Sequence, residues 1–519
     1  MIVTLSFLVF WLPLTIASFA LVCRVRPALA PAFLVLTSAA VCLAAGPLSL
    51  LFVAMSVVGN FLVMRFLQRM EPGSRAQNAT LAIAIVANLA PLVAFKLAQQ
   101  AGWPWNPASA SSVVLPLGLA FYTLQQVTFL VDGRKPGAPR LGFTRFAAWG
   151  SFFGQLAAGP IGSWSRMAPQ FAGLGTRPPG AAEIARGGAL VLLGFNKKLW
   201  LADPIGRRVD AILAGADLGT ITPLEAWTLA WGYMLQLYFD FSAYSDIAIG
   251  VGLCFGLLLP INFNSPLKAA TPGQYVMRWH ISLMTFVRDF VFEPMFRMAR
   301  KLPIRPTGRR YAVAWALATL LSYLAVAGWH TAAPLPLLQG LGVAALLIVL
   351  QYIREGSRSA PRSPGPLERH ARRAGGQILL LVGVSVIALL LRTHASDNFG
   401  RMIPALLDGP GLLTLGANLF ANLAAALGLG APPPWDGLYP NARLPGVRTL
   451  AMIGLGTVIV LASPNSMQMF GLATPGPLGA RLAWRPSWIW GLLTIVLLTA
   501  ALVGLTRPLP VNDFIYAQF

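Results

Sequence analysis

Two of the four histidines in this 519-residue chain stand where an imidazole can do acid–base work. His280 follows Arg278-Trp279 at the head of an amphipathic run, Ile281 to Phe296, and His330 follows Trp329 at the end of an apolar stretch. A neutral imidazole, with a pKa near ~6.5, is the side chain best suited to take a proton from a hydroxyl at neutral pH. A packing histidine that only makes hydrogen bonds is the alternative for each. His370 and His394 lie in or beside polar loops. The other polar concentration runs from Tyr238 to Asp246 (YFDFSAYSD) inside otherwise apolar sequence. Polar side chains are costly within a membrane, so those that persist are candidates for function. At 100° per residue Tyr238, Ser242 and Ser245 fall within ~60° of one another and Asp240 points almost opposite, so one face can line a polar cavity. Hydroxyls bonded across packed membrane helices would give the same pattern.

Other chemistries lack their residues. Cys23, Cys42 and Cys254 sit in or beside apolar runs without CxxC spacing, which supports neither a zinc site nor a disulfide framework. No metal is expected. No P-loop, HExxH or GxSxG occurs, and the Gly-rich stretches lack the strand and helix context of a dinucleotide site.

The elements that must position these residues are membrane helices. Only 11% of residues are charged, against roughly 25% in soluble domains, while 56% are hydrophobic. Runs such as Val113 to Val131, Tyr311 to Gly328 and Trp488 to Thr506 approach the ~20 apolar residues that cross a ~30 Å hydrocarbon core. The net charge of +22 is carried by loops: Arg24 and Arg26; Arg65 to Arg75; Arg134 to Arg145; Arg297 to Arg310; Arg354 to Arg373. That is positive-inside topology, not a nucleic-acid surface. The first apolar run lacks a basic start and is expected to stay as a helix with its N-terminus outside the cytoplasm.

Spans are expected at about 1–21, 31–45, 48–67, 79–100, 113–131, 311–329, 337–353, 374–392, 447–463 and 487–506, with 411–430 spanning or lying at the surface. Residues 146–180, interrupted by Gly154, Gly159-Pro160, Gly162, Pro169 and Pro178-Pro179, read as re-entrant or broken helix around a cavity. Leu224 to Leu259 would extend ~54 Å as one helix and must tilt strongly or break near Gly250 and Gly252. The fold class is therefore an all-α polytopic bundle of about 11–13 spans in one domain, 1–519. Glu355 to Arg373 reads as a mobile cytoplasmic linker, and Gly428 to Gly446 as an outer cover.

Nine runs follow one another along the chain: Asn88 to Lys96 (NLAPLVAFK), Leu117 to Asp132, Phe152 to Gln170, Gly194 to Asp203 (GFNKKLWLAD), Gln236 to Asn264, Arg278 to Pro294 (RWHISLMTFVRDFVFEP), Gly328-Trp329-His330, Pro464-Asn465-Ser466 and Phe514 to Phe519 (FIYAQF). Together they resemble the membrane-bound O-acyltransferase superfamily, in its bacterial alginate O-acetylation and teichoic acid D-alanyl transfer branch. The resemblance implies a helical bundle around a central tunnel, where a cytoplasmic acyl thioester meets an acceptor from the other side. It makes His330 the catalytic histidine and His280 a second histidine, catalytic or positioning. Trp329 and Asn264 join Tyr238, Asp240, Ser242, Ser245 and Asp246 as tunnel-lining candidates.

Two positions depart from the family pattern. Gly-Leu-Trp-His-Gly is usual, where this chain has Ala327-Gly328-Trp329-His330-Thr331, so Thr331 is expected to narrow the pocket; the terminal motif changes at Ala517. The implied activity is O-acetyl transfer in a bacterial inner membrane, from a thioester donor such as acetyl-CoA with no bound cofactor, towards an exopolysaccharide such as alginate or cellulose. Membrane lipid and a periplasmic SGNH-type acetyltransferase or polysaccharide-modifying protein are the implied partners. A transporter or flippase using the same cavity is the alternative. In the D-alanyl transfer relatives a similar aromatic motif belongs to a small partner whose tyrosine is a proposed acyl carrier, which makes Tyr516 a carrier candidate here. A phenol, with pKa near ~10, leaves more readily than a sugar alcohol. An aromatic membrane-belt anchor is the other reading of Tyr516.

Overall fold

The computed structural model describes residues 4–100, 116–216, 221–331, 333–356, 365–393, 399–411, 413–414, 416–417, 439, 446–508 and 514–515. It is 79% helical, with no strand among the described residues. The first half holds α1 (Leu12–Val25), α2 (Ala30–Ala44), α3 (Pro47–Leu67), α4 (Arg75–Gln100), α5 (Leu119–Asp132), α6 (Phe143–Ser151), α7 (Phe153–Leu156), α8 (Trp164–Ala172), α9 (Ala181–Lys197), α10 (Asp203–Ala216) and α11 (Pro223–Cys254). The second holds α12 (Pro272–Val276), α13 (Ile281–Val287), α14 (Glu293–Ala299), α15 (Thr307–His330), α16 (Pro334–Gly356), α17 (Pro366–Thr393), α18 (Phe399–Leu407), α19 (Gly446–Ala462), α20 (Ser466–Met469), α21 (Pro477–Arg481) and α22 (Trp488–Leu505).

Seven helices among the described residues are long and apolar enough to cross a membrane: Phe7–Val25, Pro27–Ala44, Pro47–Leu67, Arg75–Gln99, Thr307–His330, Pro366–Arg392 and Trp488–Leu505. Pro336–Tyr352 and Gly446–Ala462 are shorter apolar helices. The chain is a multi-pass membrane protein. Boundaries follow local chemistry, as at the Gly46-Pro47 turn, where Gly46 takes φ 128° and Pro47 occupies the first helical position.

Two expectations change. The 113–131 span becomes the 14-residue α5, which starts after Gly118 in the left-handed region (φ 72°) and is buried almost all round. At 1.5 Å per residue it covers about 21 Å, so it is an interior element shorter than the bilayer; 113–115 lie outside the described residues. Glu355 to Arg373 is not simply a linker, because Pro366 to Arg373 form the first two turns of α17; 357–364 lie outside the described residues. Of the proposed outer cover 428–446, only Tyr439 and Gly446 are described. For the run after Leu224, of the two alternatives, tilt or break, the unbroken one is found: α11 is continuous over 32 residues, about 48 Å.

That helix is the axis of the fold. A capping box starts it, with Glu225 N–H donating to Thr222 Oγ1 (3.3 Å) and Thr222 N–H to Glu225 Oε2 (3.0 Å). Nearly all of its residues are buried, Asp240 and Asp246 included. Its closest neighbour is α9, an amphipathic helix that the search for apolar spans passed over. A Cβ at Gly187 would lie 2.5 Å from Gly250 O, and one at Gly250 2.6 Å from Gly187 O. Close approach through small residues is how membrane helices gain packing where lipid removes the hydrophobic drive. Gly250 thus lets α9 touch α11, while Gly252 lies against Leu257 and Leu259.

The broken-helix reading of 146–180 holds. Helices α6, α7 and α8 are short and their residues mostly buried. The freed amides are met by hydroxyls from four other elements: Phe153 N–H donates to Ser38 Oγ (3.1 Å), Ala158 to the Tyr244 hydroxyl (3.2 Å), Ile161 to Ser282 Oγ (2.9 Å) and Trp164 to Thr128 Oγ1 (2.9 Å). Irregular backbone at this depth is tolerable only with such partners.

Gly187→Val should lower stability by about 1–3 kcal/mol through overpacking, whereas Gly188→Val, with nothing within 4 Å of its added Cβ, should be near neutral. Thermal unfolding of the detergent-solubilised variants checks this; equal midpoints would refute the close crossing.

Candidate active site

The two histidines come from distant parts of the chain and meet across one tryptophan. Helix α15 ends at His330, with Thr331 N–H closing the last turn on Ala327 O. Trp329 is buried, its indole N–H donates to Ala120 O at 2.9 Å, and its ring meets Phe121 edge-on at 5.2 Å. Ring centroids lie 6.1 Å apart for Trp329 and His280 and 4.6 Å for Trp329 and His330. His280 is 2% exposed, stacked edge-on with Phe241 of α11 at 4.7 Å, whereas His330 is partly exposed. Lys96, buried at the end of α4, donates through Nζ to His330 O (2.5 Å). A cation at a helix C-terminus is stabilising, so Lys96 fastens the end of α15.

His280 adopts φ 45° and ψ 51°, one of two non-glycine residues with positive φ among those described. Such a conformation costs about 1–3 kcal/mol and persists where its surroundings over-determine it. Here they do. Ile281 N–H donates to Asn262 O (2.9 Å), Ser282 Oγ to Asn262 Oδ1 (2.6 Å), and Asn262 Nδ2 to Ser245 Oγ (3.1 Å). With Ile161 N–H on Ser282, this buried chain ties α11, the 260s loop, α13 and the broken segment together around His280.

Beyond His280 the chain continues as α13 and one face of it enters a pocket of about 110 Å³, lined by Ile281, Ser282, Thr285 and Asp289 and faced by Arg166 and Ser163. The Thr331 departure has a local explanation. Its φ of −161° is extended backbone that needs no glycine, and its Oγ1 accepts Ala333 N–H at 3.2 Å.

The residues on α11 are placed as follows. Tyr238 packs its ring against Phe263 (5.6 Å) and Trp279 (6.3 Å). Ser245 serves the Asn262 link, and Asn264 Oδ1 accepts Asn465 Nδ2 at 3.1 Å. Asp246 forms an ion pair with Lys197 (2.7 Å) and accepts Ser466 Oγ (2.8 Å); Lys197 also reaches Ser466 Oγ at 3.1 Å and Ser242 Oγ at 3.5 Å. Asp240, on a different side, pairs with Lys198 (2.7 Å), which also reaches Asp203 (2.9 Å). Tyr516 lies outside the described residues, while its neighbours Phe514 and Ile515 are packed into the interior.

Residue-by-residue reading missed Lys197, Lys198, Asp203, Lys96 and Ser466. Two adjacent lysines following the apolar residues Ala189 to Phe195 were the available signal, since uncompensated cations there are expensive.

Lys197→Met should destabilise by about 3–5 kcal/mol by leaving Asp246 buried without its cation, and adding Asp246→Leu should restore most of that. Unfolding midpoints of the three proteins test it; a single variant melting with the parent would refute it.

With this geometry in place, comparison with known proteins is informative. Residues 138–365 match the family model of MBOAT, the membrane-bound O-acyltransferase family. The chain is 33% identical to a peptidoglycan O-acetyltransferase of Helicobacter pylori over 46% of its length and 51% of that protein's. It is 32% identical to a Pseudomonas aeruginosa protein named "Probable alginate O-acetylase AlgI" over 42% of its length and 43% of that protein's. It is also 25% identical to the teichoic acid D-alanyltransferase of Bacillus subtilis, over 53% of this chain and 69% of that one. The match thus spans about half the length of the first two relatives. The stretch that matches the membrane-bound O-acyltransferase family model, residues 138–365, contains α9, α11, His280, His330, Lys197 and Lys198.

Proposed function

We propose that the chain is a bacterial inner-membrane O-acyltransferase that moves acetyl from a cytoplasmic thioester, acetyl-CoA, towards an extracytoplasmic polysaccharide such as alginate or cellulose. The observation that carries this reading is the pairing of His280 and His330 across Trp329, on a backbone fastened by Lys96 and by the Asn262 chain. In it His330 takes the proton of the acceptor hydroxyl as its oxygen attacks the thioester carbonyl. The carbon–sulfur bond breaks, the thiolate recovers the proton, and an ester and a free thiol result. His280, buried and rigidly held, orients the reactants. The pocket along α13 is where the thioester arm enters.

Tyr516 is the first acceptor in this scheme. Its phenolic ester passes acetyl to a periplasmic SGNH-type acetyltransferase or another polysaccharide-modifying protein. The relatives support the reaction class through their names alone: one is a peptidoglycan O-acetyltransferase, another an alginate O-acetylase. The basic stretches at 297–310 and 366–373 face the cytoplasm in this arrangement, because Lys and Arg near span ends resist translocation.

His330→Ala should be made and folded normally yet lose acyl transfer by about 10²- to 10⁴-fold; parental polymer acetylation in that variant would refute the base role. Tyr516→Phe separates carrier from anchor, since an anchor survives loss of one oxygen and a carrier loses all transfer. For orientation, a thiol introduced as Ser74→Cys should resist impermeant maleimide from the periplasmic side of intact cells, and rapid labelling there would invert the scheme.

A further inference from the structure

Asp240 divides its two oxygens between partners of different kinds. Oδ1 takes the Lys198 ammonium at 2.7 Å, whereas Oδ2 accepts the main-chain N–H of Ile515 at 2.8 Å, from a residue 275 positions away. The same Lys198 Nζ sits 4.8 Å from the Phe514 ring centroid, a cation–π contact, and Phe514 meets Tyr244 edge-on at 5.0 Å. Phe514 is 7% exposed. The Lys198–Asp203–Asp240 cluster is therefore shaped around a piece of chain remote in sequence. Without that piece a buried carboxylate oxygen loses an amide donor and a buried ammonium loses an aromatic face, both poorly replaced where water is scarce.

The location gives the contact a use. Asp240 and Tyr244 lie within ~40° of each other on α11, and Phe241 lies ~60° from Tyr244. One turn of that helix thus holds the 514–515 segment with one edge and the His280 ring with the other.

We propose that Lys198, Asp203 and Asp240 form a socket that recognises an aromatic side chain followed by a main-chain N–H, and that Asp240 is a positioning residue seating the 514–515 segment beside the transfer site. This rests on the acyl-transfer reading above, because what the socket delivers is the next residue, Tyr516, whose Cα is ~3.8 Å from that of Ile515.

The test uses the full-length protein in membranes, carrying Ile515→Cys, which keeps the main-chain donor. Its reaction with maleimide, followed at that position by mass spectrometry, should be at least about tenfold slower than in the SDS-denatured chain. Adding Asp240→Asn or Phe514→Ala should accelerate it about tenfold or more, the range expected for losing a hydrogen bond to a charged group. Phe514→Ala leaves the charged cluster intact and so answers even where Asp240→Asn does not fold. Labelling of the parent at the denatured rate, or unchanged by both variants, would overturn the socket. In the otherwise unmodified chain Phe514→Ala should lower kcat about tenfold at unchanged KM for acetyl-CoA, and Phe514→Tyr should restore it. A purely structural role would instead reduce the amount of folded enzyme with kcat intact, which would overturn the positioning claim. The labelling does not depend on acyl chemistry. Slow, Asp240-dependent labelling in a chain without transferase activity would sink the functional reading and leave the socket standing.

Discussion

Burying two adjacent lysines beside a helix that carries two aspartates constrains everything around it. Lys198 and Asp240 are each 2% exposed, Asp246 is 3% exposed, and Lys197 is half-buried. None of these charges can be left without a partner at several kcal/mol apiece. The register between α9 and α11 is consequently specified twice, by charge at one end and by Gly187 against Gly250 at the other. A slide of one turn would separate the ions and drive a Cβ into a backbone carbonyl. Ser466 at the start of α20 and the 514–515 segment are then drawn in as further hydrogen-bond donors.

The same economy of polar groups explains how a chain with so much interrupted helix stays in place at this depth. The breaks between Phe152 and Trp164 present four amides to hydroxyls of other elements, and two of those hydroxyls, Ser282 and Tyr244, flank the histidine site. His280 holds its left-handed backbone because Asn262, itself held by Ser245, grips Ile281 and Ser282 just after it, while Asn264 N–H donates to Arg278 O just before it. Ser245, a tunnel-lining candidate in the sequence, is thereby part of the frame around that imidazole. Pre-organisation of this kind is what proton transfer to or from a positioned group requires.

Trp329 sets the separation of the two imidazoles. Its N–H is spent on Ala120 and its ring is bordered by Phe121, His280 and His330, so it holds both imidazoles in one cluster. His330 remains partly exposed while His280 is sealed, an asymmetry that suits one to meet an acceptor and the other to hold position.

Local pattern was enough for the membrane class, the spans that became α1 to α4, α15, α17 and α22, and the broken segment between 146 and 180. Apolar length, proline and glycine placement and residue chemistry are all properties of a few consecutive residues. The same reasoning passed over α9, whose amphipathic face and charges hide it among apolar runs, and it left tilt and break as alternatives for α11. It assigned Tyr238, Ser242 and Ser245 to one polar face and Asp240 to the other, and the angles are right. What they could not show is that α11 is buried all round, so that both faces meet partners, with Lys198 42 positions from Asp240 and Ser466 220 from Asp246. Helical periodicity orients a side chain about its own axis; which charge or amide it meets is decided only when distant elements pack against that axis and exclude water.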